Sequence, residues 1–146
     1  MSKQLNGIFR AWMKVKQQDE MAPPIIWGHC IVHLSHPEFS GNVLHTSGVV
    51  PTRSDGTVPD SIADQAEVVW SNLLAMLDEA QMTVHDVVSV TTYVVVDHMA
   101  SLGQVMAARD RALGGRRVAS TLVTVPALAR PEWKMEIALV AAYAEG

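Results

Sequence analysis

The sequence predicts an α+β domain: a mixed β-sheet with two helices on one face. Three observations point there. Hydrophobic periodicity switches between strand and helix periods in the order β-β-α-β-α-β-β. The segment Ile62 to Ala80 carries a single apolar stripe, about 100° or more wide, of the kind a core-facing helix buries. The chain then closes with two β-branched, apolar-rich runs, Val118 to Val125 and Trp133 to Ala141, joined by a short turn containing Pro131. Helices inserted between strands favour a mixed sheet with both helices on the same side, which leaves the other face bare.

Each element has a local reason. Residues 4 to 18 place Leu5, Ile8, Phe9, Trp12 and Val15 at helical spacing, and Pro23-Pro24 ends that segment because consecutive prolines cannot continue a helix. Residues 1–24 therefore read as an N-terminal extension packing on the domain or a neighbour, and 25–146 as the domain itself. Ile25 to Leu34 and Asn42 to Val50 read as strands around a polar turn with Ser35, Pro37, Ser40 and Gly41. Asp55-Gly56 marks a second turn. Asp60 or Ser61 can cap the following helix, whose stripe is Ile62, Ala66, Val69, Trp70, Leu73, Leu74, Leu77 and Ala80. Val87 to Val96 is a buried strand by composition, and Met99 to Leu113 returns to helical spacing and stops at Gly114-Gly115.

Composition bounds the function. At 146 residues the chain is one domain, large enough to bury about 68–70% of its unfolded surface. Its net charge is -4 and Arg116-Arg117 is its densest basic cluster, so there is no electrostatic footprint for nucleic acid. A single cysteine, Cys30, fits a reducing compartment, and cytoplasm is the expected location. No export signal and no stretch near the roughly 18 apolar residues of a membrane span is found. The 49% hydrophobic content with 5% aromatic is carried by aliphatics, a weak sign that a second subunit covers part of the surface.

Of the residues that could carry chemistry, Glu136 comes first. Strand alternation would put it in water while Met135, Ile137 and Leu139 face the core; the alternative is a cleft acid, costly to bury unless paired or neutral. His29, His33, His36 and His45 suggest a metal, yet His29 and His33 would stand about 13 Å apart on one strand face, too far to share an ion. No metal or cofactor is expected. Cys30 and His29, being adjacent, would point to opposite faces, so they make no nucleophile–base pair. Arg116 and Arg117 are either a solvated edge or an anion clamp.

Four segments, in this order, carry a resemblance: Thr46-Ser47-Gly48 with Val49-Val50-Pro51; Gln65 to Asn72-Leu73 with Leu77 and Ala80; Asp86-Val87-Val88 to Tyr93-Val94; and Glu136-Ile137 before a small-apolar tail. Together they resemble the Rid family, also called YjgF or UK114, over about residues 40 to 142. The resemblance implies a chorismate-mutase-like fold, with three subunits packing their sheets around a central barrel and binding clefts at the subunit boundaries. It also implies hydrolysis of enamines and imines such as 2-aminoacrylate, in which a strand arginine clamps the substrate carboxylate and a glutamate-bound water attacks. Glu136 falls on the family's glutamate, and Ser47-Gly48 on the loop lining the cleft. Ser120 falls where the clamp arginine belongs, and Leu122 where a cysteine is common. Leu34, before Ser35-His36, stands where a tyrosine is usual, and Met106 where a helix asparagine is usual. Arg117, three residues before Ser120, would point to the opposite face from it. The expected function is hydrolytic deamination of an imine, enamine or related C–N compound other than 2-aminoacrylate, by a homotrimer. The rivals are a non-catalytic binder of a small metabolite and, against the acidic charge, an endoribonuclease or translation inhibitor.

Overall fold

The computed structural model of the protein describes residues 29–36 and 39–144. The expected N-terminal helix and the start of the first strand, at Ile25, lie outside the described residues. Among the described residues five strands form one sheet: β1 (His29–His36), β2 (Phe39–Thr46), β3 (Val87–Val95), β4 (Ala119–Val125) and β5 (Met135–Ala144). Their order across the sheet is β1-β2-β5-β3-β4. β3 and β4 pair in parallel and every other pair is antiparallel, so the sheet is mixed, as the element order required.

Two helices, α1 (Ile62–Glu79) and α2 (Leu102–Ala112), pack on one face of this sheet. Ser61 caps α1, its Oγ accepting from the Asp64 N–H at 3.0 Å. The helix ends with Gln81 in the left-handed region, where the Met82 N–H reaches back to the Leu77 carbonyl and brings Met82 into the core. The stripe read from the sequence is the buried one, except that Leu74 is exposed and Ala80 only half-buried, while Met76 and Gln65 are buried in addition. Met135, Ile137, Leu139 and Ala141 of β5, with Val90 and Val94 of β3 and Leu44 of β2, complete the core from the sheet side.

Ser35, Ser40 and Gly41, expected in the turn, are paired within β1 and β2, and boundaries differ also at the start of α2 and the end of β2. The segment Val96–Ser101 is a 3-10 turn, and the α-helix begins only at Leu102. β2 ends at Thr46, four residues before the expected Val50, because the ladder with β5 breaks there. His45 stands opposite Val140, but the next contact is the bridge between Val49 and Ile137. Four steps along one strand thus match three along the other, leaving an extra residue that bends the chain away. Thr46 compensates: its Oγ1 accepts the Leu139 N–H at 2.9 Å.

A candidate acid cleft on the open sheet face

The break in the β2 ladder builds the site around Glu136. Val49 and Ile137 exchange both backbone hydrogen bonds, at 2.7 and 3.1 Å, so the Ser47–Val49 loop is pinned directly beside Glu136. Asn72 of α1 holds the next stretch through the Thr52 carbonyl, 3.0 Å away. Gly48 lies against the carboxylate: a Cβ on Gly48 would stand 2.7 Å from Glu136 Cδ, inside van der Waals contact. Close approach, not a left-handed backbone, is what calls for glycine here.

β5 alternates, with Met135, Ile137 and Leu139 buried under the helices and Glu136, Ala138 and Val140 on the open face. In the sheet register Tyr93 is the direct neighbour of Glu136, and Val123 of β4 stands beyond Tyr93. Glu136 is half-buried and forms no hydrogen bond or ion pair among the described residues. Burial pushes its carboxyl above the ordinary glutamate value, since desolvation penalises the charged form. A half-buried, unpaired acid against a loop glycine can position a water and exchange protons with it.

The other candidate residues separate. Ser120 and Leu122 are in register with Val90 and Thr92, which puts them on the helix side of the sheet, opposite to Glu136. Met106 of α2 is half-buried against the core on that side as well. Arg117 precedes β4 and lines the same cavity as Ser120. It lies six residues before Val123, about 20 Å along the strand from the level of Glu136. Leu34 pairs with Gly41 at the far end of β1. Within one chain, therefore, only Ser47 and Gly48 of the candidate binding residues are beside Glu136. Sequence reading missed Tyr93 and Thr46 as parts of this site; nothing local distinguishes them, since one is defined by cross-strand register and the other by a ladder break.

Replacing Gly48 by alanine is expected to displace the carboxylate, the mobile end of its side chain, and not the backbone. The fold should persist with a melting temperature within a few degrees of the parent, corresponding to about 1 kcal/mol. By NMR titration the Glu136 pKa should fall back toward the ordinary carboxylate value. An unchanged Glu136 titration would show that the loop does not confine it.

An open mixed sheet with two helices on one side and a loop glycine pressed on a strand glutamate defines an α+β domain with a half-buried acid on its open face, and the comparisons name its family. The endoribonuclease L-PSP family profile matches residues 29–143, and the chain belongs to that family, also known as the Rid or YjgF family. A Thermotoga maritima protein described as a candidate endoribonuclease is similar at 28% identity, covering 86% of this chain and 93% of its own, with a TM-score of 0.67. A Rid-family protein of unknown function from Yersinia pestis, YyfB, is 27% identical over 80% of this chain and 99% of its own, with a TM-score of 0.64. The YjgF product of E. coli is 26% identical over 76% of this chain and 84% of its own, with a TM-score of 0.61. No curated protein matches the chain. No helix among the described residues is long and apolar enough to cross a membrane.

Proposed function

We propose that the protein is a homotrimeric hydrolase acting on an imine, enamine or related small C–N compound, in a cleft where Glu136 of one subunit faces the β4 side of the next. The observation that carries this reading is Glu136 itself: desolvated, unpaired among the described residues, and set against Gly48. A water held by the carboxylate would bond through its oxygen to the carbon of the protonated imine as the C=N π pair moves to nitrogen, and give one proton to Glu136. The acid would then return that proton to the amine nitrogen, and the added hydroxyl would pass its remaining proton to the freed carboxylate as the carbonyl forms, the C–N bond breaks and ammonia leaves. The separation of Glu136 from Ser120 on opposite faces of one sheet supports a cleft completed by a second subunit. So does the aliphatic open face, where Val43, Val95, Val123, Val125 and Val140 have no covering layer among the described residues. The assembly would work in the cytoplasm without metal or cofactor.

Ser120 offers a hydroxyl where the family's clamp places a charge, so the substrate diverges from 2-aminoacrylate. Turnover of 2-aminoacrylate made in situ by a coupled dehydratase should be about 10- to 150-fold slower than that of an arginine-bearing relative, the worth of one charge-assisted hydrogen bond. Equal rates would remove the divergent-substrate reading. Light scattering should report a trimer, and a monomer at micromolar concentration would remove the shared cleft. Tight ligand binding without turnover of any imine would favour the alternative, a non-catalytic metabolite-binding trimer.

A further inference from the structure

On the open face of the sheet Glu136 has one neighbour to each side. The Ser47–Val49 loop closes the β2 side, where Gly48 lies against the carboxylate with no room for a Cβ between them. On the β3 side stands Tyr93, directly opposite Glu136 in the antiparallel register. The next positions on this face are Ala138, Thr91, Thr121 and Val123, none of them charged. A carboxylate in these surroundings has no counter-ion among the described residues, and so suits a ligand that brings its own positive charge.

Packing explains the Tyr93 ring, which stands in one row between Glu136 and Val123, but a phenylalanine would pack there as well. Packing does not explain the hydroxyl. Tyr93 is half-buried, yet its hydroxyl makes no hydrogen bond among the described residues. The chain's other tyrosine shows the contrast: Tyr143 packs against the core, and its hydroxyl accepts from Asn42 Nδ2 at 2.9 Å. Side chains stand roughly perpendicular to a sheet, and a tyrosine's oxygen reaches further from its Cα than a glutamate's. The Tyr93 hydroxyl is therefore placed to bond to a molecule resting on the carboxylate beside it.

We infer that Tyr93 is the ligand of the substrate nitrogen: its hydroxyl oxygen accepts an N–H of the protonated imine and holds the C=N carbon over the water on Glu136. In the iminium ion the nitrogen has no lone pair and can only donate, and a phenol oxygen accepts. Once water has added and the π pair has moved to nitrogen, that N–H stays on Tyr93, and the new lone pair is free to take the proton from Glu136. Tyr93 itself neither gains nor loses a proton. The favoured substrates are therefore imines of ammonia, whose protonated nitrogen carries hydrogen, whereas an N,N-dialkyl iminium ion cannot make this bond. The inference rests on the proposed hydrolysis in taking the bound cation for the substrate's own nitrogen.

Tyr93→Phe in the full-length protein tests it. The calorimetric probe is acetamidinium, a stable cation with iminium-like N–H groups, and tetramethylammonium serves as a cation without N–H. The dissociation constant for acetamidinium should rise about 10-fold or more in Tyr93→Phe, while that for tetramethylammonium stays as in the parent. Hydrolysis of an ammonia-derived imine, made in situ by an amine oxidase, should slow by a similar factor, and that of the N,N-dialkyl iminium ion from a pyrrolidine enamine should not change. Tyr143→Phe removes the same atom from the helix side of the sheet and should leave every readout unchanged. Melting temperatures report whether the variants fold. Any of four results would overturn the assignment: no acetamidinium bound by the parent at millimolar concentration, equal affinity in Tyr93→Phe, an equal loss in Tyr143→Phe, or an equal loss for tetramethylammonium. Acetamidinium held through Tyr93 by a protein that hydrolyses no imine would remove the hydrolytic reading and leave this nitrogen ligand standing. Hydrolysis lost in Glu136→Gln but untouched by Tyr93→Phe would do the reverse.

Discussion

Glu136→Gln is expected to abolish C–N hydrolysis while preserving fold and assembly. Removing a group that both positions water and shuttles its proton costs about 10²- to 10⁴-fold in rate. Glutamine is isosteric, so the Gly48 contact survives and lost packing cannot explain lost activity. The pH dependence separates the roles further. With its pKa raised in the folded state, Glu136 favours folding most when protonated, at pH values below the ordinary glutamate pKa, and that contribution is lost as pH rises through the raised value. The glutamine variant carries no desolvated charge, so near pH 7 it should melt at or above the parent temperature, and the difference should close as the pH is lowered. In the parent, activity should rise with deprotonation of this same group. A variant that keeps its activity, or an advantage in melting that persists at acid pH, would show that Glu136 is an ordinary solvated strand acid.

Gln65→Ala is expected to produce the largest loss of stability of any single polar substitution in the described core. Gln65 is fully buried, and its amide nitrogen donates to the carbonyls of Pro59 and Glu132 at 2.7 and 2.8 Å while its oxygen accepts the Lys134 N–H at 2.9 Å. One side chain thus fastens the start of α1 to the loop entering β5. Alanine leaves these backbone groups without their partner, at about 1–3 kcal/mol for each one that water cannot reach. A total of about 3–5 kcal/mol lowers the melting temperature by roughly 10 °C or more in a domain of this size. Because Glu136 follows two residues after Lys134, activity should fall even below the melting transition. A shift of less than about 3 °C, equivalent to about 1 kcal/mol, would mean that water replaces the amide.

The structure also changes what can be expected of Ser120. Read alone, the serine is an absence, and Ser120→Arg would restore a missing clamp. Arg109 Nη1 already lies 3.1 Å from Ser120 Oγ, so a second guanidinium there would meet a like charge. Ser120→Arg is therefore useful only with Arg109 neutralised.

The fold was legible because each element's evidence is local. The stripe of α1, the β-branched run of β3 and the glycines after α2 depend on neighbours within a few residues, and so does the alternation that separates Glu136 from Met135 and Ile137. The lateness of α2 was not legible, since Met99 to Ser101 run into the helical spacing whether the turn is 3-10 or α. The early end of β2 was hidden for another reason: Thr-Ser-Gly carries no mark that Thr46 will satisfy Leu139 through its side chain.

By itself the sequence determined the element order, the mixed α+β class and the family, and the resemblance to that family singled out Glu136 and Ser47-Gly48, because periodicity and short motifs are properties of neighbouring residues. Tertiary structure alone decided which distant residues meet. Gly48 lies on Glu136, Gln65 spans to Lys134, Tyr93 stands beside Glu136, and Arg109 rests on Ser120. Alternation says only that two residues of one strand share a face or do not. Which face of β4 matches which face of β5 depends on their common register with β3, and a slip of one residue would exchange Ser120 for Thr121. That register is set by burial of the whole sheet against α1 and α2, a sum over the core that no short window of sequence contains.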